Sequence, residues 1–347
     1  MGSRSRSRRS RRRAVTVHRR GKRAARPTAR KTAPRRKAAR GPAAFKSPGV
    51  VVSTEWLAAA LFGPRGGGHD PRVRVVDGTW HMPQLQRDAR REFEEAHVPG
   101  AVFFDIDEIA DRTTALPHML PTPAEFSRHM SALGLSSNDF IVVYDTRGVV
   151  SAARVWWTFR VFGHEPVAVL DGGLPKWRAE GRPVESGVVS PAPRRFTPRL
   201  RAELVRDLAA IRANLASRRE QVLDARSRGR FLGREPEPRP GLRGGHIPGS
   251  RNLPYDTLYR PDETLHSTDQ LRRALERAGI DLERPVVTTC GSGVTASVLA
   301  LALLLVGCPD TAVYDGSWSE WGGREDTPVS TGPPRTASTR SRPSPAA

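Results

Sequence analysis

Cysteine is scarce in this chain of 347 residues, which contains only Cys290 and Cys308. Two thiols cannot build a disulfide framework or a zinc site made of cysteines, so the composition fits a reducing compartment. Long apolar runs are absent as well. The longest, residues 298–306, is well short of the ~18 residues that a membrane span needs, and it predicts a core helix instead. The sequence therefore predicts no membrane partner.

Acidic residues are absent from the first 50 positions, which hold 19 Lys and Arg. The remainder carries 38 basic and 36 acidic residues, so the net charge of +21 belongs mostly to this segment, and no nucleic-acid binding is predicted for the near-neutral folded part. Residues 1–48 lack apolar periodicity and are predicted to be a disordered basic extension. Arg and Ser without acids are typical of a mitochondrial import peptide, which predicts a mitochondrial and/or cytoplasmic location. A nuclear or RNA-contacting arm and an inert extension are the alternatives.

After residue 48 the sequence repeats itself with a period of about 145 residues. Four landmarks recur in the same order: a first apolar run followed by Asp, a His-x-Pro-Gly motif, a second apolar run, and an Asp-Gly pair with a Trp six residues after the Asp. They lie at Asp77, His97, Asp145 and Asp171 in one copy and at Asp224, His246, Cys290 and Asp315 in the other. We predict domains at residues 49–186 and 204–334, a Pro-rich linker at 187–203 and a disordered tail at 335–347.

Within each copy, β-rich apolar runs alternate with helical ones. We predict amphipathic helices at residues 201–219 and 267–278, and strands at 286–289 and 311–314. Alternating strands and helices predict an α/β fold in which each domain has a mostly parallel sheet with helices on both faces. Reactive groups in such sheets gather at the carboxyl ends of the strands.

Cys290 stands at such a strand end. It follows two valines and two threonines, and glycines and an apolar helical run come after it. Unpaired backbone N–H groups and the positive end of a helix favour the thiolate over the thiol, which is the setting of a nucleophile. The first copy has Asp145 at this position, and a carboxylate lacks the nucleophilic sulfur of a thiolate. We therefore expect only the domain at 204–334 to react, with the domain at 49–186 shaping the site from across an interface.

A tandem of such units with Asp in place of Cys in the first copy resembles the two-domain rhodanese-type sulfurtransferases. The resemblance covers residues 50–331 and implies two tandem rhodanese-like domains. The loop Cys-Gly-Ser-Gly-Val-Thr, residues 290–295, is similar to the branch of the family that uses 3-mercaptopyruvate, whereas the thiosulfate branch carries Cys-Arg-Lys-Gly-Val-Thr. The Arg and Lys of the thiosulfate-branch loop would balance the charge of the thiosulfate dianion, whereas Gly291 and Ser292 are neutral and would not.

The resemblance also implies the site residues. Arg230 and Arg239 match the substrate-anchoring arginines of the family, and a planar guanidinium suits a carboxylate. Ser292, Asp107 and His118 match its proton-handling group. The backbone N–H groups of the loop are expected to hold the persulfide; the loop residues after the nucleophile, apart from Ser292, are Gly291, Gly293, Val294 and Thr295. His97 and His246 are interpreted as structural, since their motif occurs in both copies, and Cys308 as a packing residue.

The implied chemistry is transfer of sulfur from 3-mercaptopyruvate to Cys290 as a persulfide, with release of pyruvate. Thioredoxin or small thiols would accept the sulfur and allow release of hydrogen sulfide. No metal or organic cofactor is needed, and a monomer or weak homodimer is expected. The alternatives are a thiosulfate:cyanide sulfurtransferase and a noncatalytic rhodanese-type scaffold with a basic arm. A cysteine phosphatase is disfavoured because it needs an Arg about six residues after the Cys, where Ala296 stands.

Overall fold

The computed structural model describes residues 49–63, 70–308 and 310–333. The predictions for the basic extension at 1–48 and for the tail at 335–347 fall outside these residues. None of the helices in the described ranges is long and apolar enough to cross a membrane.

The first half of the chain forms a five-stranded sheet in which every pairing is parallel, with strand order β1-β5-β4-β2-β3. Its elements in chain order are β1 (Val51–Val52), α1 (Thr54–Phe62), β2 (Val73–Asp77), α2 (Ala89–Glu95), β3 (Ala101–Phe103), α3 (Pro123–Ala132), β4 (Phe140–Tyr144), α4 (Ser151–Val161), β5 (Val167–Leu170) and α5 (Gly173–Ala179). A 3₁₀ turn, Pro83–Leu85, precedes α2. The central strand β4 is buried along its whole length, as expected of a strand covered on both faces.

The second half repeats this sheet, again entirely parallel, in the order β6-β10-β9-β7-β8. Its elements are β6 (Val205–Arg206), α6 (Leu208–Ser217), β7 (Gln221–Asp224), α7 (Arg228–Phe231), β8 (Arg251–Asn252), α8 (Thr268–Arg277), β9 (Val286–Thr289), α9 (Val294–Leu305), β10 (Thr311–Tyr314) and α10 (Ser317–Trp321). Short 3₁₀ turns lie at Ala202–Leu204 and Tyr255–Leu258. The predicted fold class, two tandem α/β domains with parallel sheets, is confirmed.

The prediction of one helix over residues 201–219 is wrong at its start. Residues 205 and 206 form the edge strand β6, which pairs with Val313 and Tyr314 of β10. The helix begins only after Asp207, whose side chain accepts a hydrogen bond from the backbone N–H of Ala210 at 2.8 Å and so caps the first turn. The helix at 267–278 was predicted correctly, because Ser267 and Gln270 form a capping box that sets its first residue.

The two sheets share one hydrophobic core. Helix α4 of the first half packs against α9 of the second, and both are buried over almost all of their residues. The apolar run that predicted a core helix is therefore buried between the two domains. We call this interface, built on the contact of α4 with α9, the seam; its apolar side chains exclude water. The carboxyl ends of β4 and β9 meet this seam, so each domain presents its loop after the strand to the other domain.

The duplication extends to the seam itself. Leu120 N–H donates to Asp315 Oδ2 and, 145 residues later, Leu265 N–H donates to Asp171 Oδ1, each at 2.9 Å. His118 and Glu263 occupy corresponding positions, and both have left-handed backbones, with φ of 62° and 63°. Side chains with a β-carbon rarely adopt this conformation. Each domain therefore places an equivalent left-handed turn, at His118 or at Glu263, against the loop of the other domain.

Candidate active site

Cys290 lies immediately after β9 and is buried, with 2% of its surface exposed. Its backbone is fixed on both sides: the N–H donates to Ser317 Oγ at 3.2 Å, and the carbonyl accepts from Trp318 N–H at 2.9 Å. The carbonyl of Gly291 accepts from Ser319 N–H at 2.8 Å and from Ser319 Oγ at 2.7 Å. The start of α10 thus holds the carbonyls of Cys290 and Gly291 in fixed hydrogen bonds.

The first domain shows what this loop shape binds. Asp145, at the position of Cys290, accepts hydrogen bonds from the N–H groups of Arg147 at 2.7 Å and Ala152 at 2.8 Å. The corresponding N–H groups in the second domain are those of Ser292 and Ser297. Backbone N–H groups at a loop and helix start form an anion-binding cradle. The carboxylate of Asp145 therefore fills in the first domain the place that a thiolate or persulfide would take in the second.

Three of the predicted loop residues lie at the start of α9. Gly293 has φ of 81° and caps the start of α9, a conformation that a residue with a β-carbon rarely adopts. Val294 and Thr295 form the first turn of α9, where helical N–H groups have no partner within the helix.

His118 reaches across the seam from the first domain to Ser292. Its Nδ1 lies 2.9 Å from Ser292 Oγ, and its Nε2 lies 3.0 Å from Asp107 Oδ1. Because the ionised carboxylate only accepts, Nε2–H donates to Asp107 and Nδ1 is free to accept the hydroxyl proton of Ser292. The three side chains form a relay that can carry a proton from Ser292 to the imidazole.

Burial and hydrogen bonding shift the pKa values of His118 and Asp107 in opposite directions. Burial lowers the pKa of His118 below its ordinary value, and the hydrogen bond with Asp107 opposes that only in part. At Asp107 the partial burial of the carboxyl acts to raise its pKa. The hydrogen bond and charge of His118, with help from Trp80 Nε1–H at 2.9 Å, outweigh this and lower it. The relay is therefore a neutral imidazole beside an ionised carboxylate at neutral pH, which is the state that accepts a proton.

Arg230 and Arg239 both border the reactive loop. A β-carbon placed on Gly291 would lie 3.2 Å from Arg230 Nη2 and 3.7 Å from Arg239 Nη1. Arg230 is already paired, since its Nη2 and Nε lie 2.5 Å and 3.1 Å from Glu237 Oε2. Within the described residues Arg239 makes neither an ion pair nor a hydrogen bond through its side chain. Burial lowers its pKa, and the nearby charges of Cys290 and Asp107 act to raise it. Arg239 is thus a guanidinium ready to receive an anion.

Glu237 was missed by sequence reasoning as a functional residue. Its side chain is almost completely buried and is shared between Arg230 and the buried Arg226, whose Nη1 lies 2.7 Å from Glu237 Oε1. Arg226 in turn pairs with Asp224 at 2.7 Å and stacks over Trp318 at 4.2 Å. The alternation of Glu and Pro before Arg239 is a visible signal, but nothing in it shows which cation the carboxylate holds.

The residues interpreted as structural have structural contacts. His97 and His246 each stack on a phenylalanine, Phe93 or Phe231, and each Nδ1 lies within 2.8 Å of the carbonyl of that same phenylalanine. Cys308 is buried, and burial raises the pKa of its thiol. Cys290 thus begins the loop that His118, Arg230 and Arg239 border, whereas the thiol of Cys308 lies 3.9 Å from the backbone carbonyl of Arg284.

The chain matches the family model for the rhodanese-like domain twice, at residues 85–180 and 207–324. It is 46% identical over 274 residues to human "3-mercaptopyruvate sulfurtransferase", which spans 78% of this chain and 91% of that protein. It is 45% identical over 275 residues to rat "Thiosulfate sulfurtransferase", with the same two shares. The crystal structure of SseA from Escherichia coli, described as a 3-mercaptopyruvate sulfotransferase, has a TM-score of 0.70 and 36% identity, and the match covers 78% of this chain and 98% of that one.

Two domains, each with a five-stranded parallel sheet, and a cysteine at the end of one central strand define a tandem rhodanese-like protein. The chain belongs to the rhodanese-like family, as a two-domain member in which the second domain carries the cysteine. Overall identity does not separate the two donor activities, since relatives named for each are equally similar. The residues around Cys290 have to make that distinction.

Proposed function

We propose that this protein is a 3-mercaptopyruvate sulfurtransferase. The observation that carries the proposal is the neutral reactive loop, in which Ser292 bonds to His118 instead of presenting a cation, next to two arginines at Gly291. A donor with one carboxylate set away from its sulfur matches this arrangement. The carboxylate would meet Arg239 and Arg230, while the sulfur reaches Cys290.

In the first step the Cys290 thiolate attacks the sulfur of 3-mercaptopyruvate, and a sulfur–sulfur bond forms as the carbon–sulfur bond breaks. The bonding electrons leave on carbon as the enolate of pyruvate. Ser292 takes the proton of the substrate thiol and passes its own proton to His118 Nδ1, and Asp107 stabilises the imidazolium that results. Return of that proton to the enolate gives pyruvate and restores the relay, with the persulfide anion held by the loop N–H groups.

In the second step a thiol acceptor removes the outer sulfur. Cys290 is only 2% exposed, so the acceptor has to present its thiolate on a small molecule or on a protruding protein loop. Small thiols and thioredoxin meet this condition. Attack of a second thiol on the product persulfide then releases hydrogen sulfide and leaves a disulfide.

The test compares donors at steady state. Pyruvate release from 3-mercaptopyruvate and sulfur transfer from thiosulfate are measured with the same enzyme, first with a small thiol and then with thioredoxin as acceptor. We expect kcat/KM to be higher for 3-mercaptopyruvate. Equal or higher values for thiosulfate would assign the protein to the sister activity, and no turnover of either donor would favour the scaffold alternative.

Localisation and assembly are separate proposals. The composition of residues 1–48 supports import into mitochondria, so a fluorescent protein fused behind this segment is expected to accumulate there. Nuclear or nucleolar accumulation would instead support the basic-arm alternative. Sedimentation of the purified chain is expected to show a monomer or a weak homodimer.

A further inference from the structure

Arg154 of α4 is a buried cation that reaches the seam from the non-reactive domain. Its Nη2 donates to the backbone carbonyl of His118 and lies 2.8 Å from Asp315 Oδ1. The side chains of Arg154 and Asp315 are 3% and 5% exposed, and the guanidinium stacks 4.6 Å from the ring of Trp157. One side chain thus ties the turn that carries His118 to the residue after β10.

The other end of the guanidinium faces the reactive loop. Nη1 of Arg154 is buried and has no hydrogen-bond partner among the described residues. A β-carbon placed on Gly293 would lie 2.7 Å from this nitrogen, so it packs directly against the loop that follows Cys290. Arg154 therefore contacts the His118 turn and the reactive loop at the same time, although it belongs to neither.

The duplicated side of the molecule shows that the fold does not need this cation. The residue that corresponds to Arg154, 145 positions later, is Leu299. There the equivalent turn at Glu263 is held by the Leu265–Asp171 hydrogen bond, as the His118 turn is held by the equivalent bond to Asp315. Burying a guanidinium is costly, and of these two corresponding positions only the one beside the cysteine loop holds a guanidinium, while the other holds a leucine.

We propose that Arg154 is a positioning residue for sulfur transfer, acting through His118. This inference rests on the proposed function. The His118 turn has the same left-handed backbone as the Glu263 turn, and the charge-assisted hydrogen bond from Arg154 to the His118 carbonyl adds a restraint that the Glu263 turn lacks. The same guanidinium sets the reactive loop by packing on Gly293. Arg154 thereby fixes the separation of His118 Nδ1 and Ser292 Oγ at hydrogen-bond distance.

The test replaces Arg154 with the residue of the duplicated side. Arg154→Leu should lower kcat for 3-mercaptopyruvate by about 10- to 100-fold, the scale of an ångström-sized misplacement of a reacting group. KM should change less than about threefold, because Arg230 and Arg239 are untouched. Arg160→Leu is the matched control: Arg160 lies on the same helix, stacks 5.0 Å from the ring of Trp156, and lies within 3.4 Å of Glu165, away from the site. Its kcat should remain at the wild-type level.

A double-mutant cycle separates positioning from general loosening of the fold. In a His118→Asn background, where the base is gone but the left-handed turn is still accessible, Arg154→Leu should change kcat by less than about twofold. An equal loss in both backgrounds, or an equal loss in Arg160→Leu, would overturn the proposal.

A second variant covers the case in which Arg154→Leu does not fold. Arg154→Lys keeps a cation for Asp315 but lacks the planar fork that spans both contacts, so kcat should still fall, by about tenfold. If Arg154→Lys has the wild-type kcat while His118→Asn is slow, the role proposed for Arg154 is refuted and the role of His118 stands. A wild-type enzyme that does not use 3-mercaptopyruvate would instead refute the proposed function.

Discussion

Replacing Arg239 with alanine should damage the use of 3-mercaptopyruvate far more than replacing Arg230. The two guanidinium groups border the same glycine, Gly291, but they differ in how many of their nitrogens remain free to donate to a substrate carboxylate. Two nitrogens of Arg230, Nε and Nη2, are engaged by Glu237, whose side chain is 1% exposed. Arg239 has no such partner among the described residues. Burial lowers its pKa, and the electrostatic effects of Cys290 and Asp107 oppose that lowering.

The magnitude follows from counting donors. Arg239 can offer a carboxylate two parallel charge-assisted bonds, with a combined contribution of about 3 kcal/mol, or roughly 150-fold in kcat/KM. Arg230 has one free nitrogen, Nη1, and a single bond of about 1.5 kcal/mol corresponds to roughly 10-fold. Arg239→Lys should fall between these values, since the ammonium keeps the charge but loses the fork.

The assay measures pyruvate release at steady state over a range of 3-mercaptopyruvate concentrations, with sulfur transfer from thiosulfate as the second donor. Arg234→Ala serves as the control, because Arg234 is an exposed arginine on the same segment and should leave both donors unaffected. The reasoning is refuted if Arg230→Ala and Arg239→Ala lose the same factor. Equal losses for both donors in both variants would mean that the arginines support the loop and do not bind the carboxylate.

Cys290→Ser should abolish turnover with the fold intact, and mass spectrometry of the donor-treated wild type should find one added sulfur on the Cys290 peptide; sulfur on Cys308 alone would contradict the assignment. Gly291→Arg combined with Ser292→Lys should raise the use of thiosulfate and lower that of 3-mercaptopyruvate, since it adds two cations and removes the hydroxyl of the relay; unchanged donor preference would count against it. Burial lowers the pKa of His164 to about 4, so the unfolded chain takes up a proton near pH 6.5 before the native one does. Stability should therefore drop by about 2 kcal/mol from this group between pH 7 and pH 5. Urea unfolding of His164→Phe should show a correspondingly smaller drop, and an identical pH dependence in both proteins would disprove this account.

The sequence by itself was enough for the repeat, the fold class and the position of Cys290. These depend on local properties: β-branched strands, glycine loops and an apolar helix recur at a fixed spacing, and a cysteine between a strand end and a helix start has the same surroundings in any parallel sheet. Capping residues such as Ser267 also act within a few positions. The helix predicted over 201–219 was wrong at its start because β6 is an edge strand of two residues, whose pairing with β10 crosses more than 100 positions.

Tertiary structure decided how the site works as a unit. Asp107 and His118 were named from a family resemblance. In the structure His118 contacts Ser292 across 174 positions, and Asp107 contacts His118. Trp80, Glu237 and the Arg154–Asp315 pair had no sequence signal that assigned a partner. A buried charge or a left-handed turn is tolerated only where distant groups compensate for it, and such groups come together only when the two domains pack along α4 and α9.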